Sequence, residues 1–313
     1  MRYLAWVVTI SIVVLAGLIG LRFAGSHYFA PEQSGVRGLA MNAPVDVLFI
    51  GSSHTRQSYD VRLMEQKTGK KVFLVAYNGL DPVNMVPVLK RVLAESEKPK
   101  LLVVEAYGAI LGRPHAVQDS RLFFEADPRL KSELLAEFLK PPRGFDRQTL
   151  ERHLDAFALL VNRNNEAIVA YPLNRILLPN LSYHGAYADK FVPGLTEEQF
   201  RKLRVPLDGK VSADPEQRAA LREIVRLVRA AKVPIVFAES PLPGPVAALP
   251  VMRGLKASLK RALAEEQVAY FDGEEGFPLD DPTLFADSNH LSTKGRALFT
   301  ERVAEWLAAR ERR

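Results

Sequence analysis

The chain has 313 residues, 48% hydrophobic and 25% charged, a globular composition that excludes wholesale disorder. Cysteine is absent, which excludes a disulfide framework, a thiolate nucleophile and any cysteine-held metal. The net charge of +6 is spread thinly apart from the Arg310-Glu311-Arg312-Arg313 tail. No basic-aromatic interleaving of the kind nucleic-acid binders carry accompanies it.

Residues 3–21 are uncharged and flanked by Arg2 and Arg22, close to the roughly 20 residues a membrane-spanning helix needs. A cleaved signal peptide prefers a shorter apolar core of about 7–15 residues. The stretch therefore reads as an uncleaved transmembrane anchor over residues 1–23, with a polar linker over 24–43 and a folded domain over 44–313. A single-pass anchor of this kind suits the bacterial inner (cytoplasmic) membrane, with the domain periplasmic or extracellular.

The segment Val45-Asp46-Val47-Leu48-Phe49-Ile50 is short, apolar and rich in β-formers, and it ends at Gly51-Ser52-Ser53. It reads as a strand buried on both faces of a parallel sheet, followed by a tight turn at the sheet's carboxyl edge. Residues 54–59 read as a polar loop. Asp60 is a good N-cap for a helix over 61–68, and Gly69 a good stop. A second strand is expected over 71–77, ending at Asn78-Gly79. Asp81-Pro82 opens a helix whose Met85, Leu89, Val92 and Leu93 share one face. A third strand is expected over 101–105. Strand, helix, strand, helix, strand is the pattern of a parallel sheet with right-handed crossovers.

Residues 108–214 break that rhythm and read as a largely helical insertion beside the sheet's active edge, with helices over 129–139 and 149–161. Alternation returns with a helix over 216–231, a strand over 234–238, a helix over 252–266 and a short strand over 268–271. An acidic loop comes next, in which Glu274 and Glu275 read as solvated. Ser292 is placed to cap a final helix. The fold class is α/β, a three-layer sandwich around a central parallel sheet.

In open α/β sheets ligands bind at the carboxyl edge of the strands. Ser52 and Ser53 stand there, and Asp287-Ser288-Asn289-His290 offers a carboxylate and an imidazole just before the last helix. A serine hydroxyl becomes a nucleophile only when a base within hydrogen-bond reach takes its proton. His290 suits that part because imidazole titrates near neutrality, and Asp287 can orient the ring. Candidate donors for a developing oxyanion are the Ser53 and Gly79 backbone N–H groups, with the Asn78 side chain as a further candidate. His54 and Arg56 are candidate substrate contacts, each with a plain structural alternative. His115, His153 and His184 lack metal-ligand spacing, and no metal or cofactor is expected.

Gly51-Ser52-Ser53 after a first strand, Gly79 after a second, and Asp287-x-x-His290-Leu291-Ser292 before a last helix resemble the SGNH (GDSL-type) hydrolase superfamily. The resemblance implies a flavodoxin-like strand order, Ser53 as nucleophile, Gly79 as an oxyanion donor, and Asp287 with His290 as the rest of a triad. The Gly-x-Asn-Asp motif of that superfamily is missing; Glu105-Ala106-Tyr107-Gly108 stands after the third strand instead. With an N-terminal anchor, this departure is similar to the membrane-anchored members that act in cell-envelope acylation, among them alginate O-acetylation and D-alanyl transfer proteins. The resemblance implies acyl transfer from a donor to an envelope polysaccharide through a Ser53 acyl-enzyme, beside a membrane-bound O-acyltransferase. A carbohydrate or lipid esterase with the same triad, and a non-catalytic glycan-binding scaffold of an exopolysaccharide synthesis complex, are the alternatives.

Overall fold

The computed structural model describes residues 2–28, 35–95, 97–105, 119, 122, 128–138, 182–183, 186–187, 191–203 and 214–311. Five strands carry the architecture: β1 (Val47–Gly51), β2 (Val72–Ala76), β3 (Leu101–Glu105), β4 (Ile235–Glu239) and β5 (Ala269–Asp272). They are parallel throughout and lie in the order β2-β1-β3-β4-β5. The chain runs outward from β1 to one edge, returns, and continues to the other edge. That reversal leaves a crevice at the carboxyl ends of β1 and β3, where such sheets bind ligands.

Successive side chains of a strand point to opposite faces, and here both faces are covered. Leu48, Ile50, Phe73, Val75, Leu102, Val104 and Phe237 belong to one core. Val47, Phe49, Val72, Leu74, Val103, Val236 and Phe271 belong to the other. The first core is roofed by α5 (Pro82–Glu95), α8 (Pro215–Ala230), the short α9 (Gly244–Ala247) and α10 (Pro250–Glu265). The second is covered by α4 (Val61–Thr68) and α11 (Thr293–Glu311). Each fully buried large apolar side chain contributes about 1.5–3 kcal/mol, and Phe49, Phe73, Phe237, Phe285 and Phe299 are all buried.

Local chemistry sets the helix ends. The Asp60 carboxylate accepts from the Leu63 N–H, and Gly69 closes α4 in the left-handed conformation at φ 67°. Asp81 caps α5 by accepting from the Asn84 N–H at 2.9 Å. Asp214 accepts from the Glu216 and Gln217 N–H groups at the start of α8.

Three sequence expectations change. Residues 53–58 form a helix, α3 (Ser53–Ser58), rather than a loop, because the Ser52 hydroxyl caps it by accepting from the His54 N–H. Of the polar linker expected over 24–43, the described residues are largely helical: α1 (Arg2–Tyr28) reaches into it and α2 (Gly35–Asn42) fills its end. Leu39 of α2 is buried in the first core, and the Tyr77 hydroxyl accepts from the Val36 N–H at 2.9 Å. The anchor expected over residues 1–23 forms part of α1, whose Tyr3, Leu4, Trp6, Val7, Val8, Ile10, Ile12, Val13 and Val14 are exposed. Among the described residues no helix is long and apolar enough to cross a membrane; the side chains at residues 18–23 lie outside the described residues.

The expected insertion is described in part. It contributes α6 (Pro128–Phe138), a short antiparallel pair formed by Ser182–Tyr183 and Ala186–Tyr187, and α7 (Glu197–Arg201). The 186–187 strand lies beside α3. The helix expected over 149–161 lies outside the described residues.

Candidate active site

Ser53 opens α3 directly beyond the carboxyl end of β1. The turn before it needs glycine: a Cβ on Gly51 would overlap Thr55 Oγ1 and the Glu105 side chain. Glu105 is the last residue of β3, and its buried carboxylate fastens that turn. Oε2 accepts from the Ser52 N–H at 2.6 Å, from the Thr55 N–H at 3.3 Å and from the Thr55 hydroxyl at 2.8 Å. Oε1 accepts from the Ser52 hydroxyl at 3.0 Å. Burial pushes the Glu105 carboxyl up, while those bonds pull the other way. Burial is the larger effect, so the carboxyl is raised above its usual range overall.

The imidazole arrives from the far end of the chain. After β5 the chain makes a 3₁₀ turn at Pro282–Leu284, then a single antiparallel bridge between Phe285 and Leu291. The Ala286 N–H donates to the His290 carbonyl at 2.8 Å. Ser292 caps α11 by accepting from the Gly295 N–H at 3.1 Å, and its own hydroxyl donates to the Thr283 carbonyl at 2.7 Å. A Cβ on Gly295 would collide with the Leu284 carbonyl, so the helix start sits tight on the loop.

Within this loop Asp287 folds back on His290. Oδ1 accepts from the Asn289 and His290 N–H groups at 2.8 and 2.9 Å. Oδ2 lies 2.8 Å from His290 Nδ1. Burial alone would raise the Asp287 carboxyl, but the bond and charge of His290 with the backbone N–H groups outweigh it and hold it below the usual range. An ionised carboxylate only accepts, so the Nδ1 hydrogen faces Asp287 and Nε2 is the acceptor. Nε2 stands 2.9 Å from Ser53 Oγ, across 237 residues of sequence. A hydroxyl, a basic nitrogen and an orienting carboxylate are thus in line, which is the arrangement nucleophilic acyl chemistry requires.

The oxyanion candidates fall at the neighbouring strand end. Gly51 pairs with Ala76, and the Tyr77 N–H donates to the Gly51 carbonyl at 3.1 Å. Residues 77–80 then turn, with the Leu80 N–H donating to the Tyr77 carbonyl at 3.1 Å and Gly79 at φ 70°. A positive φ at the third position marks a type II-like turn, a place glycine fills without strain. The Asn78 backbone N–H is engaged by Asp119 Oδ2 at 2.9 Å. Its side-chain oxygen accepts from Arg56 Nη2 at 2.6 Å.

The two candidate substrate contacts are both buried, and Arg56 makes the structural contacts that were its alternative. His54 is 4% exposed, and its ring centroid lies 5.1 Å from that of His290. Burial, and then the proximity of His290, hold it at about 3, so it is neutral. Arg56 is 5% exposed, turned inward by Asn78 and by Asp119 at 3.9 Å. Both lie on α3, a stretch whose sequence reads as an open loop. Two contributors escape sequence reasoning. Glu105 reads as a departure from a motif rather than as the fastener of the turn, although a carboxylate ending an apolar strand is a signal in itself. Residues 191–203 carry no sequence sign of a tie to the site, yet the Leu195 N–H donates to the Pro282 and Phe285 carbonyls at 3.1 and 2.9 Å. Val192 and Thr293 exchange two further bonds there. Among the described residues no cluster of histidine and acidic side chains is arranged to hold a metal.

No protein-family model matches the sequence, and no curated protein matches it. Solved structures resemble it weakly. An acetyl xylan esterase aligns at TM-score 0.41 and 9% identity, over 84% of this chain and 98% of its own. A GDSL-like lipase from Bacteroides thetaiotaomicron aligns at TM-score 0.39 and 11% identity, over 91% of this chain and 99% of its own. Likeness at this level says nothing of the reaction, which is legible only in the side chains of the site.

Proposed function

We propose that the protein is a serine-dependent acyl-transfer enzyme of the SGNH type, with Ser53, His290 and Asp287 as its triad. The observation that carries this reading is the continuous line of contacts from Ser53 Oγ to His290 Nε2 and from His290 Nδ1 to Asp287. Ser53 gives its proton to His290 Nε2 as Oγ attacks an ester or thioester carbonyl. The tetrahedral oxyanion is met by N–H groups of Ser53 and Gly79, which lie at adjacent strand ends, with the Asn78 amide beside them. The imidazolium, stabilised by Asp287, then hands its proton to the leaving group, and the acyl group stays on Ser53. An incoming hydroxyl loses its proton to His290, attacks the acyl carbon and frees the serine. General base assistance of this kind is worth about 10²–10⁴ in rate, and each oxyanion donor about 10²–10³.

The acceptor we propose is a hydroxyl of a cell-envelope polysaccharide, the work being done at the outer face of the bacterial cytoplasmic membrane beside a membrane-bound O-acyltransferase. Support comes from the uncharged run at residues 3–21 and from the exposed apolar side chains of α1. The 186–187 strand lies beside α3, so part of the insertion comes near the helix that begins with Ser53. Water as acceptor turns the same steps into an esterase.

The test is turnover of p-nitrophenyl acetate and labelling by a fluorophosphonate, with Ser53→Ala beside the unaltered protein. Loss of both in the variant supports the reading; retained turnover, or an unaltered protein that neither labels nor turns over, overturns it. Acyl groups found on an added polysaccharide favour transfer, and acid release alone favours hydrolysis. Membrane fractionation of the full chain checks the attachment.

A further inference from the structure

We infer that the Asn78 side-chain amide is a working oxyanion donor and that Arg56, braced by Asp119, is the residue that aims it. This rests on the acyl-enzyme reading above and adds to it a positioning residue.

A guanidinium has donors and no acceptor, so the atom of Asn78 that Arg56 Nη2 meets at 2.6 Å must be the oxygen. The amide is therefore locked in one flip, with its NH₂ turned away from Arg56. Asn78 is half-buried, and none of the contacts described at it uses that NH₂. Its backbone N–H is taken by Asp119 Oδ2 at 2.9 Å, so the same acidic residue pins the main chain and faces Arg56. Asp119, Arg56 and Asn78 form one charge-assisted line that fixes the main chain and the side-chain oxygen of Asn78.

Placement gives the line its purpose. Arg56 follows Ser53 by three residues on α3, so the two share a helix face. Asn78 stands two residues beyond Ala76 and Ser53 two beyond Gly51, and Gly51 and Ala76 are paired neighbours. The amide thus sits at the level of the nucleophile, next to Gly79. The third strand ends in Glu105, whose carboxyl group is spent on the Ser52 turn. Asn78 brings a side-chain amide to the end of the strand that neighbours β1. An arginine that is 5% exposed, pointed away from solvent and onto this carbonyl, is a costly element to keep for packing alone.

Steady-state ester hydrolysis by the full chain tests this with Asn78→Ala, Asn78→Asp, Arg56→Lys and Arg56→Met. Asn78→Ala is expected to lower kcat about 10²-fold, the loss typical for one such donor, with KM within about threefold. Asn78→Asp, which keeps the shape and the Arg56 contact but has no hydrogen to give, should fall as far. Arg56→Met should lower kcat about tenfold or more, and Arg56→Lys, which can still donate to the amide oxygen, should recover most of that. Thermal unfolding is measured for each. The inference is overturned if the unaltered protein is active and Ser53-dependent but Asn78→Asp keeps its kcat. It is also overturned if the Arg56 variants lose kcat only in proportion to folded protein. An unaltered protein without Ser53-dependent turnover refutes the acyl-enzyme reading instead.

Discussion

Glu105 Oε1 and Oε2 hold both the hydroxyl and the N–H of Ser52, at 3.0 and 2.6 Å. The end of the third strand is thereby tied to the residue just before the nucleophile. Glu105→Ala removes the acceptor and leaves the Ser52 and Thr55 donors buried without it. Each unsatisfied group costs about 1–3 kcal/mol, so a loss of several kcal/mol is expected in urea unfolding, together with loss of turnover. Glu105→Gln keeps an acceptor oxygen for Oε2's partners and should stay folded. Equal destabilisation by Gln and Ala would contradict this account.

Gly51 is hemmed in by the same two side chains. A methyl group there overlaps Thr55 Oγ1 and Glu105, and overpacking of this kind costs about 1–3 kcal/mol. Gly51→Ala should therefore lower the unfolding temperature and slow fluorophosphonate labelling of Ser53. Pairing it with Thr55→Ala removes the Oγ1 overlap but leaves that with Glu105, and should not restore the labelling rate.

Asp287 should matter more for rate than for folding. Asp287→Asn replaces the acceptor that faces His290 Nδ1 and frees the ring to present the wrong nitrogen to Ser53. A fall in kcat of about 10²–10⁴ is expected. The carboxyl is held below its usual range, so its contribution to stability is present above the unfolded value and is lost as pH falls through the lower folded one. Acid unfolding of the variant should therefore begin from a less stable protein at pH 7 and depend less steeply on pH below about 4. Unchanged kcat in Asp287→Asn would remove this residue from the triad.

A second buried charge group lies at the ends of β4 and β5. Lys256 Nζ reaches Glu239 at 3.2 Å and Asp272 at 2.7 Å, and also contacts Glu274, which is therefore not solvated as its sequence suggested. Burial raises Glu239 to about 7. Lys256 is held in its charged form, since Glu239, Asp272 and Glu274 outweigh the opposing effect of burial. One ammonium shared among three carboxylates leaves Glu239 the hardest to ionise. A raised carboxyl keeps its proton in the folded state, so the stability it gives is complete below about 4.5 and is lost as pH rises through about 7. Glu239→Gln should flatten the pH dependence of urea unfolding across that window. Lys256→Met should destabilise by about 3–5 kcal/mol at pH 8 and by less at pH 5; the reverse order would show the wrong group was chosen.

The sheet was readable in the chain because its strands are short apolar runs and its helices carry explicit ends, such as Asp60 and Gly69 around α4. Helix α3 was not. Its Ser-His-Thr-Arg-Gln-Ser sequence has no apolar period, and it is held through Glu105, Asn78 and Asp119 rather than by hydrophobic burial. Polar partners distant in sequence leave no local pattern. For the same reason the Lys256 group, drawn from three separate segments, was invisible, while Asp287 and His290, three apart, could be seen. His54 read equally as a surface-loop group because burial of a polar residue depends on what folds over it, whereas the structural ion pair weighed for Arg56 is the one it makes with Asp119.

Residues 191–203 are stitched to the loop that bears His290 through Leu195, Val192 and Thr293, and Phe200 packs on Phe285 at 6.2 Å between ring centroids. The base and this stretch are one splinted unit. Anyone transplanting the mid-chain segment from another such protein, to change what the enzyme accepts, has to cut before Phe191 and keep the native chain from there onward. A chimera joined at the nominal end near 214 would discard the splint and arrive with its imidazole adrift.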